Sequence, residues 1–499
     1  STQVSPAGSS SRALTIQRDG RILQVGSIVP FDFAVVRYHP DGKPDAEFGS
    51  GGVVTTDFFG AGDQAYDIAV QADGRIVAAG LAAKYAGSEP DFALARYNPD
   101  GSLDSTFGAG GKVTTDFRGQ GYYDSCTSIA IQADGKIVAA GLSYPVGTDF
   151  DFALVRYNPD GTLDTSFGNG GKVTTDFLRR YDAISKLVIQ RNGKIVAAGT
   201  ASEDNGLPHF GLARYNPDGS LDTGFGEEGK VMTYFFGGAN RSADQALALA
   251  LQRDGRLVVS GAASDLQRED GPSEYDLALA RYNIDGSLDT SFGVGGKVTT
   301  DFNNSEHGRA LDFQPDGKII VSGSSHVDST GYNFLLARYD TDGSLDETFG
   351  DGGKVMTDFF GGADHGWDLV LQKDGKAVVG GSVQTSAGTQ FGLARYKAYT
   401  VNYDICFSDD GGSAMLSLNS ITGDYQFTPC GGGTVITGTG TVARRGCVLT
   451  LRHNAPDRRV VVKVDACRNT GTVTVQGFSP GETFTITDMN KPANTCACP

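Results

Sequence analysis

The phrase Gln-x-Asp/Asn-Gly-Arg/Lys occurs seven times, opening at Gln17, Gln71, Gln132, Gln190, Gln252, Gln314 and Gln372. Successive copies stand 54, 61, 58, 62, 62 and 58 residues apart. An Arg-Tyr pair follows each copy, at Arg37, Arg96, Arg156, Arg214, Arg281, Arg338 and Arg395. The first six pairs are followed by Asp-x-x-Phe-Gly, as at Asp104 to Gly108, and then by a Lys-Val-x-Thr-like run such as 112–117. Each copy of such a chain is one supersecondary unit that buries its apolar faces only by packing on its neighbours.

Each repeat reads as four strands, A to D in chain order, of the types 67–71, 75–80, 91–97 and 112–117. Asp-Gly between A and B predicts a two-residue hairpin turn, because both residues accept positive φ. Asn-Pro-Asp-Gly after strand C opens a longer turn in which proline presets φ and glycine supplies the left-handed step. Strand B runs such as Ile137-Val138-Ala139-Ala140 are small and apolar throughout, as strands buried on both faces are. Four-stranded units repeated seven times predict an all-β fold, a seven-bladed β-propeller over residues 1–396. A linear solenoid is the alternative, and it would need atypical repeats at both ends. The seventh repeat supplies A, B and C (368–372, 377–381, 391–396) but neither Asp-x-x-Phe-Gly nor a strand D. Residues 1–6 precede Gln17 about where a strand D should stand, so the N-terminal strand is expected to close blade seven. Closure would remove the sheet edges that invite aggregation.

The repeat Asp91-Phe-Ala-Leu-Ala-Arg-Tyr-Asn-Pro-Asp-Gly-Ser-Leu-Asp-Ser-Thr-Phe-Gly108 resembles the delta-60 repeat of secreted bacterial proteins. The resemblance covers residues 1–396 and implies a propeller and export, with no general activity to carry over.

From residue 397 the period is lost and Thr, Val and Cys rise. Runs at 414–419, 424–428, 434–442, 447–452, 459–465, 471–476 and 483–487 read as short strands of a second domain, 397–499, a small β-sandwich or barrel. It holds six of the seven cysteines: Cys406, Cys430, Cys447, Cys467, Cys496 and Cys498. An even count in a short β-rich segment predicts three disulfides and an oxidising compartment, with about fifteen pairings open. Zinc is disfavoured, since no CxxC pair occurs and His453 has no partner spacing. The domain loosely resembles C-terminal modules of secreted bacterial repeat proteins, which implies anchoring, sorting or assembly. Ser1 looks like a start left after signal cleavage, and no apolar run approaches the ~18–20 residues that span a bilayer. Secretion or display at a bacterial surface is therefore expected.

The net charge is −17, yet residues 397–499 hold 9 Lys+Arg against 8 Asp+Glu, leaving 33 against 51 in the propeller. A field of that sign repels phosphate backbones and excludes nucleic acid as a partner.

The seven arginines on strand C suggest a repeated ion pair, either with the strand D acids (Asp57, Asp116, Asp176, Asp301, Asp358) or with the Asp of Leu-Asp (Asp104, Asp164, Asp222, Asp289, Asp346). The A–B and C–D turns share one face and hardly vary, whereas the loops at 82–90, 143–149, 201–209, 262–274 and 324–332 share the other and vary. Recognition belongs on the varied face. There an acid stands eight residues before six of the repeat glutamines: Asp63, Asp124, Asp182, Asp244, Glu306 and Asp364. If they ring the channel mouth they suit a hard cation, and calcium is the one cofactor the residues suggest. The other reading is that each staples a neighbouring loop through backbone N–H groups. Tyr123, Tyr181, His307, His365 and Trp367 are further candidates on this face, His307 and His365 forming with Glu306 and Asp364 the best acid–base cluster. Cys126 reads as a buried thiol.

The scarcity of catalytic groups predicts a non-catalytic extracellular structural or interaction protein, self-associating or held by another surface protein or glycan. A calcium- or glycan-binding propeller is the alternative, followed by a secreted hydrolase or lyase centred on His307 and His365.

Overall fold

The computed structural model describes residues 1–396, apart from residues 6–7, 30, 120–121, 145–148, 239, 268–273, 303 and 330, and beyond them the backbone of nine strands between residues 402 and 486. Parts of three varied loops and the side chains of all six C-terminal cysteines, with the disulfides expected of them, lie outside the described residues. The chain divides into two compact units, the first holding Ser1–Asp346 and Lys354–Tyr396.

That first unit is a seven-bladed propeller. Six blades are four-stranded antiparallel sheets in the order A-B-C-D. In blade two these strands are Asp63–Val70, Ile76–Ala83, Pro90–Tyr97 and Lys112–Thr115. The A–B turn is not the expected two-residue Asp-Gly turn. Gln71 closes on Arg75 across three residues, and of these only Gly74 has a positive φ, 90°. Asp73 instead uses its Oδ1 to accept the Arg75 N–H at 3.0 Å. This is a turn followed by one left-handed glycine, which gives the strands the same right-handed twist.

The A strands adjoin one another around a closed ring, with His365–Leu371 of blade seven beside Ser9–Ile16 of blade one, which excludes the solenoid. The core lies between blades: Val35, Phe48 and Phe58 pack with Ala78, Ala93 and Tyr97 across the first interface. Arg96 pairs through Nε with Asp104 at 2.8 Å, so the Asp of Leu-Asp is the arginine's partner and the strand D acid is not. The same pair recurs at Arg37–Asp45, Arg156–Asp164, Arg214–Asp222, Arg281–Asp289 and Arg338–Asp346. Arg96 also donates to the Pro159 carbonyl of the next blade and lies 4.5 Å from the Phe107 ring centroid. The tyrosine beside it reaches the other way, with the Tyr97 hydroxyl 2.8 Å from Thr56 of blade one. The Arg-Tyr pair is thus a two-sided lock between blades.

Blade seven has three strands, His365–Leu371, Ala377–Thr385 and Gly388–Tyr396. Thr2 completes it. Its N–H donates to the Phe391 carbonyl at 2.8 Å in an antiparallel bridge, the pairing Thr115 makes with Phe92 in blade two. Its side chain meets Tyr38 in the hydrogen bond that every other blade makes from Thr to Tyr. Of the residues 1–6 expected to close the blade, Thr2 is the described one that pairs with blade seven.

The C-terminal strands form one nine-stranded antiparallel sheet. Its two edge strands, Ile436–Thr439 and Thr441–Arg445, are separated by a single residue, so this sheet must curl to bring its edges together.

Candidate functional site

Strand A carries the same irregularity in every blade: its pairing with strand B slips by one residue, between Ser11 and Ala13 in blade one and between Gly366 and Asp368 in blade seven. The five blades between them do the same. Such a bulge takes one residue out of the ladder and re-aims its side chain. The residues so displaced are Arg12, Tyr66, Thr127, Ser185, Leu247, Arg309 and Trp367, each the fifth before its repeat's glutamine. Strand B answers with a glycine, because a Cβ on Gly80 would lie 1.8 Å from the Gln64 carbonyl oxygen. Since strand A is innermost, the bulge delivers one variable side chain per blade to the channel.

Four of these side chains meet. The guanidinium carbons of Arg12 and Arg309, from the blades on either side of blade seven, lie 4.1 and 4.2 Å from the Trp367 ring centroid. Arg12 is also 5.6 Å from the Tyr66 ring. Nearer the mouth, the His365 ring stands 5.9 Å from Trp367 and 4.5 Å from Tyr332, and His307 stands 5.5 Å from Tyr275. Arg309 Nε, Trp367 Nε1, His307 Nδ1 and His365 Nδ1 are buried and make no hydrogen bond among the described residues.

Neither arginine has an ion-pair partner among the described residues. Burial draws the Arg309 guanidinium down to about 10, and the Arg12 charge pushes the same way. Burial also lowers Arg12. His307 and His365 fall to about 4, first through burial and then through Arg309, so both rings are neutral at pH 7. The channel mouth therefore carries two desolvated cations, two neutral imidazoles and three phenols, with no carboxylate among the groups that shift the two arginines. One residue deeper the charges balance differently. Lys186 Nζ reaches across to Asp67 at 3.1 Å, and although burial opposes its charge, Asp67 and Asp368 hold it above its ordinary value. Asp67 Oδ2 accepts the Ile129 N–H and Asp368 Oδ2 the Leu14 N–H, tying the inner strand of blade two to that of blade three and that of blade seven to that of blade one.

The six acids singled out in the sequence do not converge on the channel. Because of the bulge, strand A starts earlier than its pattern suggests, and Asp63, Asp124, Asp182, Asp244 and Glu306 lie within it, buried at its head. Each accepts the N–H of the phenylalanine after the preceding strand D, as Asp63 does from Phe58 at 2.7 Å and Asp364 from Phe359 at 2.8 Å. Burial raises Asp124 to about 6, Asp63 and Asp182 to about 7 and Glu306 to about 8. The structure brings His307, His365 and Trp367 together but sends Tyr123 and Tyr181 to a separate aromatic cluster around Phe150, 5.8 and 5.6 Å from its ring. Cys126 is fully buried in strand A of blade three, its thiol pushed up by burial. Sequence reasoning missed Arg12 and Arg309; the signal was the column five residues before each glutamine, which reads Arg, Tyr, Thr, Ser, Leu, Arg and Trp from blade to blade.

No curated protein matches the chain. Solved structures similar to it include a protein of unknown function from Dyadobacter fermentans, 11% identical, covering 79% of this chain and 96% of that one with a TM-score of 0.41. The polysaccharide lyase Uly1 is 12% identical over 80% and 91% of the two chains, with a TM-score of 0.44. A PL25 ulvan lyase is 12% identical over 79% and 95%, with a TM-score of 0.45. The expectation that the chain is not an enzyme is corrected by these lyases, since a fold shared with enzymes does not set it apart from them. At such identity and TM-score they assign it no reaction and no residue. Six stretches, 17–48, 71–107, 132–167, 190–225, 252–292 and 314–349, each running from a repeat glutamine toward Phe-Gly, match the family described as a domain of unknown function (DUF5122) beta-propeller, a description that carries the propeller but not the delta-60 name.

Proposed function

We propose that the propeller binds an acidic glycan at its channel mouth, with a carboxylate or sulfate of the ligand received by Arg12 and Arg309. One observation carries this: two part-buried guanidiniums share the Trp367 ring with no counter-ion among the described residues, and one leaves a buried Nε unbonded. An unpaired buried cation is costly, and an anion that bonds both arginines in the fork geometry they offer relieves that cost. The propeller holds 33 basic against 51 acidic residues, so a cationic mouth is not a by-product of composition. A ring-bearing polymer suits the face around the mouth, where Tyr85, Tyr144 and Tyr181 are exposed. Acidic polymers of this kind lie outside cells, which accords with the oxidising compartment expected for the C-terminal cysteines.

Binding to immobilised polyuronate and sulfated polysaccharide, with a neutral polysaccharide as control, tests the reading. Arg12→Gln with Arg309→Gln should weaken acidic-glycan binding by about 100-fold, at about 1.4 kcal/mol per factor of ten. Unchanged binding in that double variant, or equal binding of the neutral polymer, would sink the idea.

The two neutral histidines favour a second reading of the same site, proton transfer on the bound glycan. An unbonded imidazole nitrogen beside a cation that holds a uronate carboxylate can take the proton next to that carboxylate. The electron pair left forms a carbon–carbon double bond as the adjacent glycosidic C–O bond breaks, and the departing oxygen takes a proton from the imidazolium or from water. Release of unsaturated, ultraviolet-absorbing chain ends, lost in His307→Ala with His365→Ala, would establish it. Binding without any such release would leave the chain as a lectin.

A further inference from the structure

Three carboxylates meet where strand C, the end of strand D and the next blade's strand A come together. At the first interface they are Asp32, Asp57 and Asp63, and at the third Asp151, Asp176 and Asp182; in each set one oxygen from every residue lies within 4.8 Å of the others. Two oxygens on opposite sides of a calcium ion stand about 4.6–5.2 Å apart, at 2.3–2.6 Å from the metal each. The acids come from two blades, so they are held by the fold and not by one flexible loop.

A cluster of acids alone says little, but two of these groups lack partners. Asp151 is 6% exposed, its side chain makes no hydrogen bond or ion pair among the described residues, and its Oδ1 is shut away from solvent. Asp63 is 0% exposed, and while its Oδ2 accepts the Phe58 N–H, its Oδ1 has no partner. Among the described residues no ammonium or guanidinium forms an ion pair with either set, although Arg118 and Lys112 stand near enough to favour the Asp151 and Asp63 charges. Lys112 and Lys230, the nearest strand D lysines, give their hydrogen bonds to the main-chain oxygens of Asp57 and Asp176.

Two other interfaces show the same place filled from within, and a third acid set, Asp276, Asp301 and Glu306, stands at the fifth. At the second, Asp91 of the set Asp91, Asp116 and Asp124 is paired with Lys84 Nζ at 2.8 Å. At the fourth, the first two positions are His209 and Tyr234, and His209 Nδ1 stands 3.4 Å from the remaining Asp244. At the clasp, Gln390, Gln3 and Ser9 occupy the three places and the charge vanishes from all of them together. We propose that the Asp32–Asp57–Asp63 and Asp151–Asp176–Asp182 sets each bind a calcium ion that bridges adjacent blades. The half-buried Asp176 and exposed Asp57 leave a path by which the ion enters with its remaining waters.

The test uses the full chain stripped of metal with a chelator. Equilibrium dialysis against calcium and thermal melting with calcium or magnesium are run on the parent, on Asp32→Asn with Asp57→Asn, and on Asp151→Asn with Asp176→Asn. The parent should bind at least two calcium ions and melt higher as calcium rises into the millimolar range, and each double variant should lose about one ion and part of the shift. A parent that binds no calcium at millimolar concentration is the overturning result. So is an unchanged stoichiometry in both variants. Because the variants remove charge repulsion they should fold without metal, so loss of binding is not loss of fold.

Discussion

At the residue scale the two histidines of the channel mouth carry the strongest pH signature. Each is held near 4 in the folded chain against about 6.5 unfolded, because burial and the arginine charges disfavour the imidazolium. A group whose folded value is depressed binds its proton more readily when the chain unfolds. Its contribution is therefore whole above about pH 6.5 and is lost as pH falls toward 4, on the order of 1–3 kcal/mol for each histidine. Melting followed between pH 7 and 4 should show this acid limb, and His307→Gln with His365→Gln should flatten it. An unaltered limb in that variant would place the sensitivity elsewhere. An anion seated between Arg12 and Arg309 opposes the same charges, so an acidic ligand should bind more tightly as pH falls through this range.

At the scale of the element, the bulge of strand A and the glycine of strand B are one device. The carbonyl of the residue before the bulge fills the space a Cβ would need, at Gly26, Gly80, Gly141, Gly199, Gly261, Gly323 and Gly381. Gly199→Ala should cost about 1–3 kcal/mol or more in chemical denaturation, since the contact at 1.9 Å is with backbone that can move only if the bulge does. Arg156→Ala should cost about 1–3 kcal/mol by removing one of the two cations on buried Asp164, Lys136 at 3.0 Å being the other, and unchanged stability would refute the lock between blades. The turns, the apolar B strands and the count of blades were legible because each rests on residues close together in the chain. The bulge was not, because it inverts the two-residue alternation midway along a strand of about eight residues, too short for either phase to stand out; its clearest mark was a glycine recurring in strand B. For the same reason Trp367 was visible as a candidate while Arg12 and Arg309, in the same column of other blades, were not. The acids were found but their neighbours were not, since Asp63 meets Asp32 across about thirty residues and a change of blade.

At the scale of the whole molecule, the ring is only as closed as its seventh interface. Six Thr–Tyr hydrogen bonds join strand D of one blade to strand C of the next, and Thr2 supplies the seventh by meeting Tyr38. Thr2 also makes the one described bridge to Phe391, so a single residue near the chain's start holds the free edge of strand Gly388–Tyr396. Removing a hydroxyl from an interior blade, as in Thr115→Val, should cost about 0.5–1.5 kcal/mol and leave the ring shut, because Thr115 is still tied by its strand and by the loops on both sides. The same change at Thr2 removes an equal bond but acts on a strand with no covalent neighbour inside blade seven. Deleting residues 1–4 removes the backbone bridge as well. Hydrogen exchange distinguishes the two cases: the deletion should expose the amides of Gly388–Tyr396 and of the Ser9–Ile16 strand beside it, while those of blades three to five keep their protection. Uniform loss of protection around the ring would mean that the propeller opens as one unit and that the clasp is no weaker than any other joint. Slower exchange at blade seven than at blade three would overturn the assignment of Thr2 as its closure. The channel mouth would report the same event, because Arg12 and Trp367 face each other across this joint, and an acidic ligand held there should protect it.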